Sequence, residues 1–135
     1  MSVKIELLEE ALKSSWIRET SNQPEKWSSA NPALGQCVVS SLMVNEMFGG
    51  EIIRGEFKNG QTHYWNLVGK NIIDLTKSQF NGELSFERIT LADISKLLAN
   101  EDTANRFNIL KKKTKKALET SAVKKTKAKE LQPMA

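Results

Sequence analysis

The sequence predicts an α+β domain: a cysteine-bearing core helix packed on a small antiparallel sheet, with further helices at both ends. Three observations carry this. An acidic, amphipathic helical pattern opens the chain. A nearly all-apolar helical run begins at Cys37. Three short strand-like runs separated by turn dipeptides then precede two more helical patterns.

The elements follow in order. Ile5, Leu7, Leu8, Leu12 and Trp16 recur near helical spacing between Val3 and Ile17, with Glu6, Glu9, Glu10 and Lys13 opposite them. That is an amphipathic helix that must dock on something. Arg18 to Leu34 is polar and irregular, with Pro24, Pro32 and Trp27, and reads as a long loop of the kind that often carries function. From Cys37 the residues Val38, Val39, Leu42, Met43, Met47 and Phe48 are apolar around most of a helix, which places it in the core, and Gly49-Gly50 stops it. Glu51 to Phe57, Thr62 to Val68 and Asn71 to Leu75 read as strands joined by Asn59-Gly60 and Gly69-Lys70 turns. Thr76 to Phe80 suits a helical turn and Ser85 to Ile89 a short edge strand. Thr90-x-x-Asp93 has the form of a capping box before a helix to Ala99, and Thr103 is placed to cap a last helix through Phe107, Leu110 and Leu118.

The chain has 135 residues, 39% hydrophobic and 27% charged, enough for one core without staples. With a single cysteine a disulfide framework is excluded, and no run approaches the roughly 18 apolar residues of a membrane span. The acidic N-terminal pattern is not a secretory signal, so the expectation is a reducing cytoplasm. The net charge of +4 is an average of two unlike parts. Residues 111–135 hold nine lysines against two glutamates, while residues 1–110 hold eleven Lys and Arg against fourteen Asp and Glu. We therefore expect one compact domain over 1–120 and a disordered lysine-rich tail over 121–135. Nucleic acid is not the expected partner, because the basic excess sits in the tail rather than on the folded body.

Cys37 stands where the core helix should begin, and free N–H groups and the helix dipole there favour a thiolate. His63 follows on the second strand and Asp74 on the third. A two-residue turn at Gly69-Lys70 sets Val68 opposite Asn71, which brings His63, Trp65 and Asp74 to one sheet face as diagonal or direct neighbours. Asn66, three residues from His63, falls on the other face. Asp74 is then the better group to orient the imidazole, and an odd-length turn would give that role to Asn66 instead. Nucleophile, base and orienting carboxylate make a Cys37-His63-Asp74 triad for acyl transfer. The oxyanion calls for donors: the Cys37 N–H and a side-chain amide from Gln36 or Asn31. Trp16, Trp27, Tyr64 and Trp65, with Asn66, are candidates for a pocket wall. A buried structural cysteine, a satisfied strand histidine and a turn-capping aspartate are the plain alternatives. A zinc site is the poorer reading, since no short-spaced ligand pair exists.

The run Asn31-Pro32-Ala33-Leu34-Gly35-Gln36-Cys37, with Phe48-Gly49-Gly50-Glu51-Ile52, His63-Tyr64-Trp65-Asn66 and Asp74-Leu75-Thr76-Lys77-Ser78-Gln79-Phe80, resembles the bacterial YunG-like family from about Trp16 to Leu110. More distantly, His-x-Trp and Asp-Leu-Thr after a cysteine-bearing helix are similar to the transglutaminase-like and papain-like cysteine enzymes. That resemblance implies Cys37 as nucleophile, His63 as base and Asp74 as orienter; neither a metal nor a cofactor is expected. The expected function is hydrolysis or acyl transfer on an amide, isopeptide or ester bond, the partner being a peptide or protein acyl substrate. The alternative is a non-enzymatic module of the same fold that binds a peptide or protein in the cleft.

The tail holds too few and too scattered apolar residues to offset its ordering entropy. Ending the chain at Ser121 is expected to leave the melting temperature within about two degrees of the full chain, as read by circular dichroism.

Overall fold

The computed structural model describes residues 4–80 and 82–131, with side chains to residue 121. The fold is α+β: a four-stranded antiparallel sheet, one helix buried against it, and three further helices. Helix α1 spans Ile5–Ser15, α2 Cys37–Phe48, α3 Ile94–Ala99 and α4 Glu101–Leu131. Strands β1 Glu51–Glu56, β2 Thr62–Val68, β3 Asn71–Ile73 and β4 Arg88–Leu91 lie in the order β3-β2-β1-β4.

Helix α2 is the centre. Every residue from Cys37 to Val44 is buried, as the apolar pattern around most of the helix requires, and only its last turn, with Glu46, reaches solvent. It packs on β1 and β2 on one side and on α4 on the other, while α1 lies along α4. Leu8, Leu12 and Trp16 of the first segment, Val39, Leu42 and Met43 of α2, Ile52 of β1, and Phe107 and Leu110 of α4 form one core. Each such side chain contributes about 1.5–3 kcal/mol by leaving water. The Trp16 indole is satisfied inside this core by Ser40 Oγ at 2.9 Å, so Trp16 serves packing.

The long loop before Cys37 is a closed excursion. Its ends meet where Asn22 N donates to Gly35 O at 3.0 Å and Ser21 Oγ donates to Leu34 O at 2.8 Å. The buried Arg106 of α4 donates to Asp102 at 2.9 Å and to Thr20 O at 3.4 Å, which ties the start of the loop to the C-terminal helix.

The β2–β3 register is the one that the two-residue turn dictates: Val68 faces Asn71, Leu67 faces Ile72 and Asn66 faces Ile73. One sheet face carries Ile52, Tyr64, Asn66 and Val68 toward α2. The other carries Gly55, His63, Trp65, Ile53, Leu67 and Ile72. Phe86 lies over Gly55 on that second face.

Several boundaries differ from the sequence reading, the third strand among them, which ends at Ile73 rather than Leu75. The edge strand runs over Arg88–Leu91 rather than 85–89, because Phe86 turns onto the sheet face and the β-branched Ile89-Thr90 run pairs with β1. Thr90 is thereby a strand residue opposite Arg54, and Asp93 alone caps α3, accepting from Lys96 N. Asn100, not Thr103, caps α4: its Oδ1 accepts the Thr103 N–H at 3.0 Å. Helix α4 also continues to Leu131, past the point where the tail was expected to begin. Ala, Lys, Glu and Leu are good helix formers and no glycine or proline interrupts them before Pro133. Residues 132–135 of that expected tail, and its side chains from 122, lie outside the described residues. Among the described residues no helix is long and apolar enough to cross a membrane.

A Cβ at Gly55 would stand 2.6 Å from a Phe86 ring carbon and 2.7 Å from Trp65. Gly55→Ala is expected to lower stability by about 1–3 kcal/mol through forced movement of Phe86, measured by urea unfolding.

Candidate functional site

Cys37 is the first residue of α2 and is 6% exposed. Gln36 precedes it as N-cap but makes no side-chain capping bond, so Gln36 leaves the first N–H groups of the helix uncapped. Gly35 makes the approach possible. Its φ is +73°, and a Cβ there would meet Ser21 Oγ at 2.2 Å, so only glycine lets the loop close tightly onto the helix start.

His63 and Asp74 come from neighbouring strands. Strand β3 ends at Ile73, and Asp74, the next residue, reaches diagonally to the imidazole, with Nε2 and Oδ2 2.7 Å apart. His63 is completely buried; Asp74 is 16% exposed. The aspartate therefore engages one ring nitrogen and leaves the other, Nδ1, without a hydrogen-bond partner. Burial by itself pulls the imidazole pKa down. The bond to Asp74, and then hydrogen bonding and charge from Cys37, outweigh it and hold the group up at about 9. Cys37 thus lies near enough to help raise the imidazole pKa, while Nδ1 itself has no hydrogen-bond partner.

An aromatic shell closes over the pair. Trp65 stacks on the His63 ring at 5.6 Å, Phe80 meets it edge-on at 4.9 Å, and Phe86 lies parallel to it at 6.4 Å. Phe57 joins the shell against Phe80 and Phe86, at 5.4 Å and 4.7 Å. Such a shell excludes water and strengthens the ion pair beneath it.

The structure therefore brings His63, Asp74 and Trp65 together, with Cys37 near enough to help raise the imidazole pKa. It places the other candidate residues elsewhere. Tyr64 and Asn66 face α2, where Asn66 Nδ2 donates to Ser41 O at 3.0 Å, because strand alternation turns them away from His63. Trp27 is held within its own loop, its indole donating to Pro32 O at 2.9 Å and its ring facing Arg18. Gln36 is fully buried and donates Nε2 to Ile17 O at 3.0 Å; Asn31 Nδ2 points to Gln79 O at 3.5 Å. A cleft of about 390 Å³ opens at Cys37, walled by Phe57, Phe80, Leu34, Gln61 and Gln79. The tryptophans, Tyr64, Asn66, Gln36 and Asn31 do not line it. Phe57 and Phe80 were missed as wall residues. The signal for Phe80 was its place six residues after Asp74, at the end of the same motif run. Among the described residues no group of three His, Cys, Asp or Glu side chains is arranged to hold a metal ion.

Comparison with known proteins gives one family. A family model described as YunG protein matches residues 4–119. A curated relative, "Uncharacterized protein YunG" of Bacillus subtilis (strain 168), is 32% identical over 78 residues, which are 58% of this chain and 64% of the relative. The chain thus spans just under two-thirds of that relative's length. No solved structure matches.

The raised imidazole has a consequence for stability. An unfolded histidine titrates near 6.5, so the stabilisation from His63 is full below that pH and is lost as pH rises through about 9. Wild type is expected to lose on the order of 2 kcal/mol between pH 6 and pH 10 from this group, after allowance for solvent screening. Urea unfolding of His63→Gln across that range should give a correspondingly flatter profile.

Proposed function

The chain belongs to the YunG family, and within it we propose that this member is a cysteine-dependent hydrolase or acyltransferase acting on an amide, isopeptide or ester bond. One observation carries the reading. Asp74 holds His63 through Nε2 and leaves Nδ1 free, and the Cys37 thiol is near enough to help raise the imidazole pKa. A buried imidazole that is gripped on one nitrogen and unpartnered on the other is arranged to exchange a proton.

In this mechanism His63 takes the Cys37 proton at Nδ1, and the imidazolium is stabilised by Asp74. The thiolate attacks the substrate carbonyl carbon, forming the S–C bond and placing the π electrons on oxygen. Collapse of that adduct breaks the bond to the amine or alcohol, which leaves with the proton from His63. The resulting thioester is cleared by water or by an acceptor amine, which returns its proton through the same nitrogen. No cofactor is required. We also assign the core to the papain-like or transglutaminase-like cysteine enzymes, on the order of a cysteine at a helix start, a histidine on the second strand and an aspartate just after the third. A reducing cytoplasm suits an enzyme that needs its only cysteine free.

A second reading is favoured by the low exposure of Cys37 and by the unformed Cys37–His63 hydrogen bond: a binding module that accepts a peptide or protein in the same cleft. Thiol reactivity separates the two. If Cys37 is activated, iodoacetamide at pH 6 will alkylate it on the order of 10²-fold faster than a free thiol of pKa about 8.5. His63→Ala will abolish most of that advantage and Asp74→Asn part of it. Identical rates for wild type and His63→Ala would leave the binding module as the better account.

A further inference from the structure

The cysteine mechanism needs a side-chain donor for the developing oxyanion, and neither Gln36 nor Asn31 lines the cleft beside Cys37. Gln79 does. It belongs to the 3-10 turn Lys77–Gln79 that follows Asp74, and two contacts fix it against the cysteine loop. Its Oε1 accepts the N–H of Gly35, two residues before Cys37, at 3.2 Å. Its own carbonyl receives the Asn31 amide at 3.5 Å.

The Gly35 contact also settles which way the amide points. A backbone N–H must face an acceptor, so the oxygen of the carboxamide lies toward Gly35 and the NH2 group is the free end. Among the described residues that nitrogen has one acceptor, Thr76 Oγ1, at a long 3.4 Å. The second N–H is uncommitted. Gln36 is the reverse case: its NH2 is spent on the Ile17 carbonyl, and the atom left over is the buried oxygen Oε1, which cannot donate.

The geometry points to Gln79 Nε2 as the side-chain oxyanion donor of this site, acting with the Cys37 backbone N–H at the start of α2. The inference rests on the cysteine reading above. When the thiolate adds to the carbonyl carbon, the charge that reaches oxygen is met by two N–H groups, one from each side of the cleft. These are fixed before reaction and need no reorganisation. Anchoring through Gly35 gives the pair a common reference, since the residue that holds the Gln79 oxygen is covalently two residues from the nucleophile. Gln79 also joins the segment carrying Asp74 to the loop carrying Cys37, so an acyl donor meets a donor group supplied by the orienting strand's own extension.

Two probes separate oxyanion stabilisation from thiol activation. 4-Nitrophenyl acetate acylates the thiol through a tetrahedral oxyanion. The S–C bond forms, 4-nitrophenolate leaves, and water then hydrolyses the thioester. 2,2′-Dithiodipyridine reacts with the same thiolate by disulfide exchange, in which an S–S bond forms, pyridine-2-thione leaves, and no carbonyl is involved. The readout is the ratio of the two single-turnover rates. Gln79→Ala removes the donor. Gln79→Glu removes the NH2 group while keeping an oxygen for Gly35, and so covers the case in which alanine perturbs folding. For both, the acylation-to-exchange ratio should fall on the order of 10²-fold relative to wild type, with exchange still dependent on His63. An unchanged ratio overturns the assignment, whether both rates hold or both fall together, and in the latter case Gln79 only positions the loop. A wild-type protein whose Cys37 reacts with either probe no faster than a free thiol would overturn the cysteine reading itself, and this inference with it.

Discussion

The fold hangs on the burial of α2. A helix that is apolar around most of its circumference must be covered on more than one side, and the sheet and α4 supply the cover. Its position fixes the rest. Cys37 is at its first residue, so the thiol is held by the most constrained element of the molecule. The sheet face that packs on α2 takes Ile52, Tyr64, Asn66 and Val68, which commits the opposite face to Gly55, His63 and Trp65. A slip of one residue in either hairpin would invert that assignment and bury the wrong set.

A second constraint is electrostatic. A fully buried imidazole with no partner would be driven toward its neutral form by desolvation. Here Asp74 lies 2.7 Å away and Cys37 is near enough to contribute, and together they hold the imidazole pKa up against the effect of burial. The cost of withdrawing these groups from water is met by their mutual attraction, which the aromatic shell of Trp65, Phe80 and Phe86 enhances. Among the described residues, three of the four buried polar side-chain atoms left without a partner belong to Gln36, His63 and Asp74. Two of those three residues are the imidazole–carboxylate pair and the third adjoins Cys37. Unsatisfied groups are costly in a core made only for stability, and their concentration here is one support for the cysteine reading proposed above.

Local chemistry left its marks plainly in the sequence. The apolar run after Cys37, stopped by Gly49-Gly50, spelled a buried helix from its first residue. Gly69-Lys70 set the hairpin register, and with it the diagonal approach of Asp74 to His63. These features follow from periods of two and 3.6 residues and from turn geometry, all of which act over a few residues. Family membership over residues 4–119 agrees with the resemblance carried by the motif runs.

What only the tertiary structure decided depends on contacts between distant segments. Phe86 left the expected edge strand because Gly55, thirty-one residues earlier, offers a bare patch of sheet for its ring. Thr90 looked like a helix cap and became a strand residue because β1 presented an open edge beside it. Phe57 and Phe80 became cleft walls, and Gln79 rather than Gln36 reached the cleft, because the segment after Asp74 folds back onto the loop before Cys37. An amide's identity is written in the sequence. Which partner consumes its N–H groups is settled only when chain segments far apart in number compete for the same carbonyl.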